Sequence, residues 1–142
     1  MHAVASYEVK IKEYQRKGGI SLRHDFFGQG GVVDKHPQAF LIERPYPNPV
    51  IHPHFHDVDQ FQVIVGGTGR IGKHKVQPMA FHYADAYTPY GPIIGEDDGI
   101  AFFTLRNCSS GGHWSMPGNK QHMPCRAGRN IADLFDTDIS SL

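Results

Sequence analysis

The stretch Ile51-His52-Pro53-His54-Phe55-His56-Asp57-Val58-Asp59-Gln60, continuing through Phe61-Gln62-Val63-Ile64-Val65 into Gly66-Gly67, decides how this chain reads. Residues 61–65 are rich in β-branched and aromatic side chains, which predicts a strand. On a strand, side chains two residues apart point to the same face. His54 and His56 therefore converge on one point, and His52 shares their parity. Gln60 follows four residues after His56, and Gln62 lies on the same face as Gln60. Three nitrogen or oxygen donors facing one interior is how a first-row transition metal is held with positions left open. Asp57 and Asp59 have the opposite parity and read as solvated.

Working outward, sixteen glycines and ten prolines cut the 142 residues into short pieces. Alternation predicts half-exposed strands at 7–11 and 20–26, and a buried strand at 39–43 ended by the Pro45-Tyr46-Pro47-Asn48-Pro49 corner. Gly28-Gln29-Gly30-Gly31 reads as a turn, and Gly66-Gly67-Thr68-Gly69 as a tight hairpin. Residues 79–83 and 100–105 are further strands, separated by a turn at 89–92. Ile131, Leu134 and Phe135 are spaced like one face of a short C-terminal helix. Eight or nine short antiparallel strands bury their inner faces by closing or double-layering the sheet. The fold class is thus all-β, a single domain over 1–142.

The spacing His54-x-His56-x-x-x-Gln60, with Gly67 beyond it, resembles the first signature of the cupin superfamily, with glutamine in the glutamate position. Pro89-Tyr90-Gly91 resembles the turn of the second signature. Ile94 stands where a metal-binding histidine completes that signature, and Tyr83 where a glycine leads it. The resemblance covers residues 39–105. It implies a cupin-like double-stranded β-helix, a jelly-roll barrel with its site inside. It also implies a divalent metal (iron, manganese, nickel or zinc) on His54, His56 and Gln60, with His82 as a candidate further ligand from a neighbouring strand. Gln62, Tyr83 and Tyr87 are the expected pocket wall, and His113-Trp114 either a lid or an anchor for the tail.

Two functions follow. One is a metal-dependent enzyme of oxygenase, isomerase or lyase type. Because Gln60 is neutral, its site keeps the full metal charge and favours a small anionic substrate. The other is a binding or sensing module without metal or turnover. The missing histidine at Ile94 favours the second, and the first signature favours the first.

Zero formal charge leaves no basic field for nucleic acid. No apolar run approaches the ~20 residues of a membrane span. The N-terminus lacks a charged segment followed by an apolar one, and Cys108 and Cys125 read as free thiols, which together predict a cytoplasmic protein. The strand at 7–11 has no obvious partner in a minimal barrel, so a homodimer with that strand near the interface is expected.

Overall fold

The computed structural model describes residues 2–47, 49–123 and 132–136. Among the described residues eleven strands run in chain order: β1 (Ile11–Arg16), β2 (Gly19–Phe27), β3 (Gln38–Arg44), β4 (Val50–Ile51), β5 (His54–Phe55), β6 (Gln60–Ile71), β7 (His74–Val76), β8 (Ala80–Ala84), β9 (Ile93–Arg106), β10 (Trp114–Ser115) and β11 (Ala132–Asp136). The large antiparallel sheet has the order β1-β2-β3-β9-β6-β8-β11, with β4 on β9 and β7 on β6. A small second sheet pairs β10 with β5. The architecture is the all-β class that the strand pattern predicts, of the jelly-roll type that the resemblance implies.

β6 and β9 are the long central strands, and glycines let them bend as a pair. Their register shifts between Ile64 and Gly66 and again between Gly67 and Gly69. A Cβ on Gly69 would stand 2.1 Å from the Ile94 carbonyl oxygen, and one on Gly67 2.1 Å from that of Gly99. The backbones approach more closely than any side chain permits. The hairpin expected at 66–69 is therefore a pair of β-bulges inside β6, and the chain turns after Ile71 into β7.

Inward positions alternate along each strand. Gln60, Gln62 and Ile64 on β6 are buried, as are Ala80, His82 and Ala84 on β8. The apolar half of the interior is built from Ile64, Ile71, Val76, Ile93, Ile100 and Phe102.

Two further expectations change. Residues 6–8 form a 3-10 turn, and the first strand begins at Ile11 and pairs with β2 of its own chain. Its partner is thus internal, which removes the reason for placing a dimer interface there. The C-terminal helix is instead β11, paired antiparallel with β8. A helix of one or two turns is marginal by itself, whereas the edge of β8 offers a ladder of backbone partners. Ile131 and Cys125 lie outside the described residues. No helix among the described residues is long and apolar enough to cross a membrane.

Candidate functional site

Strand register assembles the site. Gln62 is paired with His82 on one side and Thr104 on the other, and Gln60 is paired with Arg106, itself paired with Gln38. These side chains form two polar rows across the inner face of the sheet. Opposite them, His54 and Tyr90 are joined by reciprocal backbone hydrogen bonds, N to O at 3.1 and 3.0 Å. That bridge aims the Tyr90 ring inward.

The Tyr90 hydroxyl is the hub. It lies 2.9 Å from His54 Nε2, and the Gln60 and Gln62 side-chain amides both donate to it. One proton assignment satisfies every partner. His54 Nδ1–H donates to the His52 carbonyl at 2.8 Å, so its Nε2 carries a lone pair and accepts from Tyr90. Gln62 Oε1 accepts from His82 Nδ1 at 2.8 Å. Gln60 Oε1 accepts from Arg106 Nε at 3.0 Å, and Gln38 Oε1 from Arg106 Nη1 at 3.3 Å.

A second wall comes from the segment after β9. His56 Nδ1 donates to the Gly112 carbonyl at 2.7 Å. His113 stacks on His54 with ring centroids 4.0 Å apart, and Trp114 stacks on Phe55. Asp57 anchors this segment, accepting from Ser110 Oγ at 2.7 Å and from Gly111 N.

Burial sets the charges. It pushes His54 down to about 3, helped by His113 and opposed by the His52 carbonyl. His56 is held well below the usual imidazole range by burial and then by Arg106, and His113 is lowered by burial as well. Burial raises Tyr90 to about 12. At neutral pH all four are uncharged. Arg106 is lowered by burial, to about 10, and stays cationic.

These groups line a cavity of about 790 Å³. Arg16, Lys17, Arg23, Arg44 and Arg106 contribute to its wall, and no aspartate or glutamate does among the described residues. Arg23 is neutralised by Asp25 at 2.7 Å. Arg106 has no carboxylate partner among the described residues.

No family model and no curated protein matches this chain. Solved structures do. The polyketide cyclase RemF of Streptomyces resistomycificus is similar with a TM-score of 0.63 and 17% identity, over 82% of this chain and 86% of that one. An RmlC-like cupin of Ralstonia eutropha is similar with a TM-score of 0.59 and 14% identity, over 74% of this chain and 67% of that one. Oxalate decarboxylase of Bacillus subtilis, described with Mn(II) centres, gives 0.53 and 13% over 75% of this chain and 30% of that one. The chain has the cupin fold. At such identities the likeness is one of fold.

The cupin cavity brings together His54, His56 and Gln62, with Gln60 and His82 bonded into the same network. It does not bring in Tyr83 or Tyr87. Tyr83 has the opposite parity to His82, packs on Phe61 at 4.9 Å and donates to Asp85 at 2.6 Å. Tyr87 sits in the turn after β8 with a φ of 64° and faces Phe55. Ile94 is out of phase with Ile93, which lines the cavity, so the side chain at the expected histidine position points away. Asp57 is half-buried as a loop anchor, whereas Asp59 caps the Ala86 amide at 2.8 Å. Arg106 and Arg44 line the cavity without any expectation from the sequence. Tyr90 is reached from the sequence through its place in the second cupin signature, where tyrosine suits a pocket wall. Nothing local marks either arginine.

A divalent ion does not fit this arrangement of donors. The His54 Nε2 lone pair is directed at Tyr90, and the Gln60 oxygen is taken by Arg106. A guanidinium 3.0 Å from a ligand oxygen also opposes a second cation there. Among the described residues, no group of three histidine, cysteine or acidic side chains is placed to hold one.

Proposed function

We propose that this cupin is a binding protein for a small organic anion, taken up in the barrel without a metal, with Arg106 receiving the anionic group. The observation that carries the reading is Arg106, a half-buried guanidinium with no carboxylate in ion-pair contact among the described residues, in a cavity whose described lining has no acid; Asp57 acts on it only from beyond that distance. Taking a charge partly out of water without a paired counterion is costly. An incoming carboxylate or phosphate removes that cost, and the guanidinium fork matches both geometrically. Tyr90, raised to about 12, keeps its proton, donates a hydrogen bond to His54 and holds the Gln60 and Gln62 amides in place. Gln62 and Thr104 supply further polar contacts.

The test is calorimetric titration of short carboxylic acids and inorganic phosphate into the untagged chain in the presence of a chelator. The parent is expected to bind at least one of them, and Arg106→Met to weaken that binding by roughly 30-fold or more, the scale of a lost buried charge pair. Equal affinities in the two proteins, or binding that disappears with the chelator, would contradict the reading.

A second reading, a metal-dependent oxygenase, isomerase or lyase using iron, manganese, nickel or zinc, has one supporting observation. The rings of His54, His56 and His113 cluster with centroids 4.0–5.4 Å apart. It requires Tyr90 to withdraw from His54.

A further inference from the structure

Arg44 is the least expected charge in the molecule. It is 3% exposed, lines the same cavity and has no carboxylate partner among the described residues. One Nη2 donates to the Val50 carbonyl, and Nε is buried with no hydrogen-bond partner. A guanidinium carries five donors. Leaving one buried and unmatched is unfavourable unless something else fills it. Gly18 leaves the room for this contact: a Cβ there would stand 2.9 Å from Arg44 Nη2 and 2.0 Å from the Val50 oxygen. Arg16 and Lys17 line the cavity, and Arg16 is near enough for its charge to act with burial in lowering Arg44.

Arg44 and Gln38 are the two ends of β3, and Gln38 is the partner of Arg106. Six residues of extended chain place the two arginine-bearing rows about 20 Å apart along the strand. Between them Phe40, Ile42, Ile51, Ile93 and Phe102 supply an apolar part of the wall, with Gln62 and Thr104 beside it towards the Arg106 end and Arg23, paired with Asp25, at its rim. Cation, largely apolar middle, cation is the order of chemistry that a ligand meets from one end to the other.

We infer that the ligand is an elongated molecule with two anionic ends and an apolar body, its second carboxylate or phosphate seated on Arg44 beside Arg16. This rests on the anion-binding reading of the Arg106 end and extends it. Arg44 is buried and Arg106 is held by Gln60 and Gln38, so the two charges are recognised jointly with the length between them. A ligand with only one charge fills one end and leaves the other guanidinium uncompensated.

The probe is a series of linear α,ω-dicarboxylic acids from six to sixteen carbons, each paired with its mono-methyl ester of the same length, titrated by calorimetry. For the parent, the diacid of best length is expected to bind about tenfold or more tighter than its half-ester, the worth of a strong charge-assisted contact. In Arg44→Met that ratio is expected to fall to near one, with half-ester affinity kept. Arg16→Gln, on the edge strand, is expected to reduce the ratio in part and serves if Arg44→Met does not fold. A parent ratio near one, or a ratio that neither variant changes, overturns the second site. Absence of half-ester binding to the parent, with diacid binding that Arg106→Met leaves intact, overturns the Arg106 reading instead.

Discussion

Gln60 Oε1 accepts a hydrogen bond from Arg106 Nε at 3.0 Å, across a β6–β9 register pair whose members are 46 residues apart in sequence. The position that a glutamate occupies in the cupin signature here holds a neutral amide. A glutamate there would pair with Arg106 and cancel its charge. Glutamine orients the guanidinium and leaves the charge available to a ligand.

Gln60→Glu is therefore expected to abolish anion binding while stabilising the unliganded chain. The new carboxylate lies within reach of Arg106 and of the Tyr90 hydroxyl. Calorimetry and a melting curve on the same preparation check both halves.

Arg106→Met has the opposite balance of costs. It leaves the Gln60 and Gln38 oxygens without their donor, at about 1–3 kcal/mol. It also removes a half-buried cation with no carboxylate in ion-pair contact among the described residues, and replacing charged groups taken out of water by apolar side chains is often neutral or stabilising. The unliganded variant is expected to unfold in urea within about 1 kcal/mol of the parent despite losing the ligand.

Tyr90→Phe removes one hydroxyl and deprives three partners at once: His54, Gln60 and Gln62. The ring is 8% exposed, so little water replaces it. A loss of about 2 kcal/mol in urea unfolding is expected, near the middle of the range for orphaned buried polar groups.

Stability should fall in mild acid. His54 has a folded pKa of about 3 against an ordinary 6.5, and His56 and His113 are lowered too. The fold therefore favours the neutral imidazoles. That contribution is complete above pH 6.5 and is lost as pH falls from 6.5 towards the folded values, because the unfolded chain takes up the protons first. His54 alone contributes up to about 1.4 kcal/mol per pH unit in that window. Melting temperature measured from pH 8 to pH 4 should be flat and then drop below about 6.5, and the drop should be shallower in His54→Gln.

Gly69→Ala is expected to be far more damaging than its size suggests. Its Cβ would stand 2.1 Å from the Ile94 backbone oxygen, so β6 and β9 must separate. The cost should exceed the about 1–3 kcal/mol of an ordinary substitution, seen as loss of the cooperative urea transition.

Parity arguments reached His54, His56, Gln60 and Gln62 because strand alternation is local and leaves its mark within a few residues, whereas His82 was reached only as a side chain that a neighbouring strand could bring close. They failed wherever an irregularity intervened. The glycines at 66–69 supply bulges as readily as a hairpin, and only the close approach of β9 decides between the two. Tyr83 was placed in the pocket by its neighbourhood in sequence, against the alternation that puts it opposite His82. Arg44 and Arg106 were invisible for a different reason. A lone arginine on a strand reads as solvated, and its burial depends on partners such as Gln38 and Gln60, 68 and 46 residues from Arg106.

The central claim is that the Tyr90 hydroxyl, and not a metal ion, takes the inward nitrogen of His54. The metal content of the untagged chain, purified without chelator and then dialysed against iron, manganese, nickel or zinc, tests it most directly. The account predicts well under one ion per chain in every case, with no change in His54→Ala/His56→Ala. One tightly held ion per chain that the double variant loses would contradict it.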